Sequence, residues 1–168
     1  MIFEYKGIRP RIGKNVFIAE NATVIGDVTL EDNVNIWFGT VIRGDVNYIR
    51  IGKNTNIQDC CVVHVDHGKY STIVEENVTV GHGVVLHACT VRRCSLIGMN
   101  ATVLDGAEVG PYSIVGAGCL VPPGMKIPEG KLVLGVPAKI VRDLTSDERK
   151  NLEESAMRYV EYAAQYMR

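Results

Sequence analysis

The sequence predicts an all-β chain, wound as a parallel β-helix of hexapeptide repeats and closed by one C-terminal α-helix. Three observations carry this. Aliphatic residues recur every six positions: Ile12, Ile18, Val24, Leu30, Ile36 and Ile42; then Ile51, Ile57 and Val63; then Val74, Val80 and Leu86; then every sixth residue from Val91 to Val133. Glycine often follows the aliphatic residue, as in Ile12-Gly13, Ile51-Gly52, Val80-Gly81 and Ile97-Gly98. Beyond Val133 the period stops and a helical signature begins. Six is not close to a multiple of 3.6, so the period excludes a helix and marks a solenoid.

Each hexad is a short strand and a turn, and three hexads close one triangular coil of about 18 residues. Stacked coils share backbone hydrogen bonds at about 4.8 Å spacing. The aliphatic residue points inward, small or β-branched residues such as Val16, Ala22, Val28, Ala101 and Ala107 sit four positions after it, and glycine and asparagine supply the corners. The first register runs unbroken to Ile42. Three extra residues then stand near 46–48, and five extra near 66–70, while the step from Leu86 to Val91 is one residue short. Insertions in a solenoid collect on its functional face. After Val133 the run LGVPAKIVRDL leaves the repeat. Thr145-Ser-Asp-Glu148 reads as a capping box, opening a helix over about 146–167 with Leu152, Ala156, Tyr159, Val160, Ala163 and Met167 as its apolar stripe. The expected division is a β-helix domain over 1–140 and a linker with helix over 141–168, packed on the coil or on a neighbouring subunit.

Composition excludes several functions. A net charge of −1 over 168 residues offers no footprint for nucleic acid or an anionic membrane. No apolar run approaches the ~18 residues a membrane span needs, and the opening MIFEYKGIRPRIG lacks the order of a signal peptide. Five cysteines, with Cys60 and Cys61 adjacent, fit no ordinary disulfide framework. Reduced thiols and a cytoplasmic protein are expected, with Cys60, Cys61, Cys89, Cys94 and Cys119 as small core fillers.

All four histidines, His64, His67, His82 and His87, fall between Val63 and Cys89. Three of them, His64, His82 and His87, would complete a zinc-type site with one open position. Hexad counting places them. If the face begun by Val63 is face A, Val74 begins face B, Val80 face C, and Leu86 returns to face A. His64 and His87 then stack one coil apart, in a column with Arg43, while His82 and Asp59 stack on face C. Face A of one subunit packed against face C of another would gather all three imidazoles, and closing that contact three-fold gives a homotrimer with three equivalent sites. Arg43 and Asp45, in IRGD, are placed to pair; Gln58 and Asp59, in NIQD, to orient water at the metal. His67, in the inserted loop, is expected to be solvated.

The runs IRGDVNYIRIGKNTNIQDCCVVH, VGHGVVLHACTV, IGMNATVLDGA and GVPAKIVRDLT together resemble the γ-class carbonic anhydrases over nearly the whole chain. The resemblance implies a left-handed coil and a trimer that reversibly hydrates carbon dioxide to bicarbonate. It implies His64, His82 and His87 as metal ligands, with Arg43, Asp45, Asn56, Gln58, Asp59 and Tyr159 as supporting active-site residues. Zinc is the expected metal, though imidazole ligands also suit Fe2+ and Co2+. The chain departs from the family prototype at Val46, where an acidic residue follows RGD, and at the short DHGKY insertion, which has no proton-shuttle glutamate. Two rival readings stand beside this one. Many hexapeptide-repeat proteins are acyltransferases using acyl-CoA, and they share the GVPAK run, but one general-base histidine suffices for them. The other rival is a non-enzymatic metal-binding trimer.

Overall fold

The computed structural model describes residues 1–167. It is a left-handed parallel β-solenoid of about seven turns with one C-terminal helix. The predicted period becomes three parallel ladders. Face A stacks Ile2–Phe3, the first halves of Thr23–Leu30 and Val41–Ile51, then Val62–His64, Val85–His87, Thr102–Val103 and Leu120–Val121. Face B stacks Arg11–Ile12, the second halves of the same two long strands, then Thr72–Val74, Thr90–Val91, Glu108–Val109 and Lys126–Ile127. Face C runs from Phe17–Ile18 through Asn35–Ile36, Asn56–Ile57, Thr79–Val80, Leu96–Ile97 and Ile114–Val115 to Lys131–Leu134.

The core is the column of aliphatic anchors: Val24, Ile36, Ile42, Ile57, Val63, Val80, Leu86 and Val103 are fully buried. Ile12 differs, at 38% exposed, because it lies in the first coil, with no coil beneath it to complete its packing. The corner chemistry is visible in Asn33, Asn54 and Asn77, which take the left-handed conformation and hand an amide hydrogen bond of 3.0 Å from each coil to the next. Asparagine tolerates that conformation and its side chain satisfies the neighbouring turn.

The 46–48 insertion is a bulge within one continuous strand, Val41–Ile51. Gly26 pairs with Gly44, and pairing resumes at Val28 and Ile49. The backbones approach so closely there that a Cβ on Gly26 would lie 2.3 Å from the Gly44 carbonyl oxygen, so a side chain at that position is excluded. The 66–70 insertion projects at the corner after His64, closed by a hydrogen bond from Asp66 N–H to the Tyr70 carbonyl at 3.1 Å. The two insertions meet where the Asn47 amide donates to the Asp66 carbonyl at 3.3 Å.

After the last coil the chain doubles back, and Lys139–Asp143 pairs antiparallel with Lys131–Leu134. Helix α1, Ser146–Tyr166, then starts on the predicted capping box: Thr145 accepts from the Glu148 N–H and Glu148 accepts from the Thr145 N–H. It lies along face C of its own coil, burying Leu152, Ala156 and Ala163, with Tyr159 and Val160 half-buried. Met167, expected on the apolar stripe, is 45% exposed; it is the C-cap, past the last turn that lies on the coil. The four cysteines Cys61, Cys89, Cys94 and Cys119 are buried as expected, but Cys60 is exposed; it stands at a left-handed corner (φ 59°), as does Cys94 (φ 54°), but Cys94 is covered beside Tyr112 and Cys60 is not. No helix among the described residues is long and apolar enough to cross a membrane.

Candidate metal centre

The face A register sets His87 directly opposite His64 and Ile42 opposite Val63, which puts Arg43 beside His64. The two imidazoles stand with ring centroids 5.3 Å apart, and His64 Nδ1 lies 3.3 Å from His87 Nε2. Each ring is held by a carboxylate on its other nitrogen. Asp45 Oδ1 is 3.0 Å from His64 Nε2, and Asp105 Oδ1 bonds His87 Nδ1. Asp45 is itself clamped by Arg43. Burial works against its charged form, but the hydrogen bonds from His64 and Arg43 and the Arg43 charge outweigh that and hold the carboxyl below its ordinary value.

An ionised carboxylate only accepts. Neutral rings that donate to these carboxylates carry their protons on His64 Nε2 and His87 Nδ1. That leaves two bare lone pairs facing each other across 3.3 Å, an arrangement that is repulsive unless a cation lies between them.

Face C repeats the motif. His82 Nδ1 is 2.7 Å from Asp59 Oδ2, again leaving Nε2 free. His82 and Asp59 open on a cavity of about 340 Å³ walled by Trp37 and by Tyr159, Tyr162 and Tyr166 of α1. Burial, and behind it the charge of Asp59, pushes the Tyr159 phenol up. Tyr159 stands edge-on to Trp37 at 5.6 Å. Gln58 and Asn56 lie beside this cavity rather than in it. Both are buried; Gln58 Nε2 donates to Asn56 Oδ1 at 3.0 Å, and Asn56 donates to the Thr79 hydroxyl at 3.0 Å. The hydroxyl reaches Ser155 of α1 at 3.3 Å.

One chain thus brings Arg43, Asp45, His64 and His87 together on face A, and Asp59, His82 and Tyr159 together on face C. Among the described residues, no three His, Cys, Asp or Glu side chains of one chain gather where they could hold a metal ion. His67 sits exposed on the 66–70 loop. Asp105 is the member that sequence reasoning missed. It stands two after the face A anchor Val103, one coil beyond His87, so the register contained it. The Asp105-Gly106 pair reads first as a turn, and that reading hides it.

A family model described as bacterial transferase hexapeptide (six repeats) matches residues 9–44. A carbonic anhydrase of Geobacillus kaustophilus is 48% identical over 166 residues, covering 99% of this chain and 91% of that one. The mitochondrial gamma carbonic anhydrase 2 of Arabidopsis thaliana is 45% identical over 159 residues, covering 92% of this chain and 57% of that longer protein. Among solved structures, a hexapeptide transferase family protein from Anaplasma phagocytophilum superposes with a TM-score of 0.94 at 40% identity, covering 99% of this chain and 98% of that one. The chain belongs to the γ-class carbonic anhydrase-like family of hexapeptide-repeat proteins.

Proposed function

We propose that the protein is a metal-dependent carbonic anhydrase, a lyase that reversibly hydrates carbon dioxide to bicarbonate. Its metal, zinc with Fe2+ or Co2+ as alternatives, would be held by His64 and His87 of one subunit and His82 of a neighbour in a homotrimer. The carrying observation is the pair of facing ring nitrogens at 3.3 Å, each backed by a carboxylate on the far side of its ring. Two nitrogens bound at about 2.0–2.1 Å to one tetrahedral zinc stand about 3.3–3.4 Å apart, so the donor set fits the ion. His82, with its own carboxylate and its own free nitrogen, is equipped as the third ligand.

A divalent ion at such a site lowers the pKa of water and so supplies a nucleophile for carbon dioxide at neutral pH. The rest falls to the chain. Asp45 and Asp59 each bond one imidazole on the nitrogen away from the metal, which favours the tautomer that presents a bare nitrogen. Arg43 keeps Asp45 ionised and in place. Asn56 anchors the Gln58 amide, which leaves the Gln58 oxygen and Asp59 to orient water. Tyr159, kept protonated, can donate across the same cavity. Val46 and the glutamate-free 66–70 loop leave the proton without an internal acceptor on its way out. The five free cysteines suit a reducing cytoplasm.

Metal analysis of the purified protein together with a hydration assay over a range of pH tests this reading. About one metal per subunit and hydration that rises with pH are expected. Bound metal without hydration at any pH would make the protein a metal-binding trimer, and transfer from an acyl-CoA would make it an acyltransferase.

A further inference from the structure

Neutral His87 has two tautomers, and they have opposite consequences for the site. With the proton on Nε2, that N–H would point at His64 Nδ1, 3.3 Å away. The two rings would satisfy each other and close. With the proton on Nδ1, Nε2 stays bare. Asp105 lies on the Nδ1 side of the ring, with its Oδ1 bonded there, and a carboxylate can only accept.

We propose that Asp105 is a positioning residue that locks His87 in the Nδ1–H tautomer and thereby keeps the His64–His87 pair open to a metal. The inference rests on the reading of these histidines as ligands. The carboxylate is delivered by rigid backbone. Gly106 N–H donates to the Ala88 carbonyl at 2.8 Å, and Gly124 N–H donates to the Asp105 carbonyl at 2.8 Å, so the Asp105 corner is pinned to the coils on both sides. From outside, Tyr70 of the inserted loop lies on Gly106, where an added Cβ would come within 3.0 Å of its ring. The inserted loop thus seals the turn that carries Asp105. Asp45 does for His64 what Asp105 does for His87, so neither ring of the pair chooses its tautomer freely.

The test uses Asp105→Ala and Asp105→Ser, neither of which can reach the ring, and Asp105→Asn, whose amide oxygen can. The Asp105 side chain is 40% exposed, so these changes open no core cavity. Two readouts are needed. In metal-free protein, 15N NMR of the His87 ring reports the tautomer. In competition with a chelator, the zinc affinity reports readiness of the site. Nδ1–H is expected in the wild type and in Asp105→Asn, with Nε2–H gaining population in Asp105→Ala and Asp105→Ser. Zinc affinity should fall about 10–100-fold in those two variants, the usual cost of losing such a partner, and less in Asp105→Asn. Wild-type tautomer and wild-type affinity in Asp105→Ala or Asp105→Ser would overturn the role of Asp105 alone. A wild-type protein that binds no metal would overturn the ligand reading beneath it.

Discussion

Deleting one imidazole from the site leaves a hole in chemistry, not in packing, because His64, His82 and His87 are all partly exposed while the aliphatic anchors behind them fill the core. His64→Ala, His82→Ala and His87→Ala should therefore fold normally and each lack the metal, which is expected at about one per subunit in the wild type. His67→Ala should keep it. Elemental analysis decides the matter, and full metal content in His87→Ala would remove that residue from the ligand set. At this level the sequence was informative wherever a residue type is rare. Four histidines on a fixed register leave few ways to group them. Asp105 was illegible for the opposite reason: aspartate before glycine is common at corners, and only the observed bond to His87 separates it from an ordinary turn residue. Cys60 was misread because a hexad pattern shows the corner but not what covers it, and Cys94 at a like left-handed corner is buried.

The period of six defined the ladders, and its breaks located both insertions, since inward-facing positions tolerate no slippage. What the insertions do was not legible, because a bulge and a projecting loop have the same count. The terminal helix was legible through its cap. Replacing Thr145 with alanine should cost about 1 kcal/mol, measured by denaturant unfolding. Glu148 gives the cap a pH dependence. The Arg142 guanidinium, and after it the Thr145 N–H, hold its carboxyl at about 2, against an ordinary 4.5. A depressed folded-state value means that the contribution is whole above about pH 4.5 and is lost as the pH falls toward 2. Glu148→Gln should therefore flatten the decline of melting temperature between pH 5 and 2.5. An unchanged slope would show that the cap is not the group titrating there. The 66–70 loop carries the kinetic prediction. With no glutamate to relay protons, hydration should be modest and should rise with imidazole buffer concentration. A fast, buffer-indifferent rate would mean that the loop conducts protons after all, with His67 the first group to replace.

One chain presents His64 and His87 on one face and His82 on another, and the proposed site needs an assembly to join them. The hexad count separated His82 from His64 and His87, and the ladders place Val62–His64 and Val85–His87 on one face and Thr79–Val80, which leads into His82, on another. No count within one chain reveals the angle at which two coils meet, so the joining is tested with subunits. Prepare His82→Ala and His64→Ala proteins separately. Each should lack metal, since every site in either homotrimer misses one ligand. In a mixed trimer, a His82→Ala subunit contributes an intact His64–His87 pair and a His64→Ala subunit an intact His82. Wherever those two faces meet, three imidazoles converge again. Co-expression should restore part of the metal and, with it, part of the hydration activity. Restoration should be absent from simple mixtures of assembled trimers that do not exchange subunits. Verified mixed trimers that recover no metal would remove the neighbour's His82 from the ligand set, and the facing of A against C would have to be abandoned.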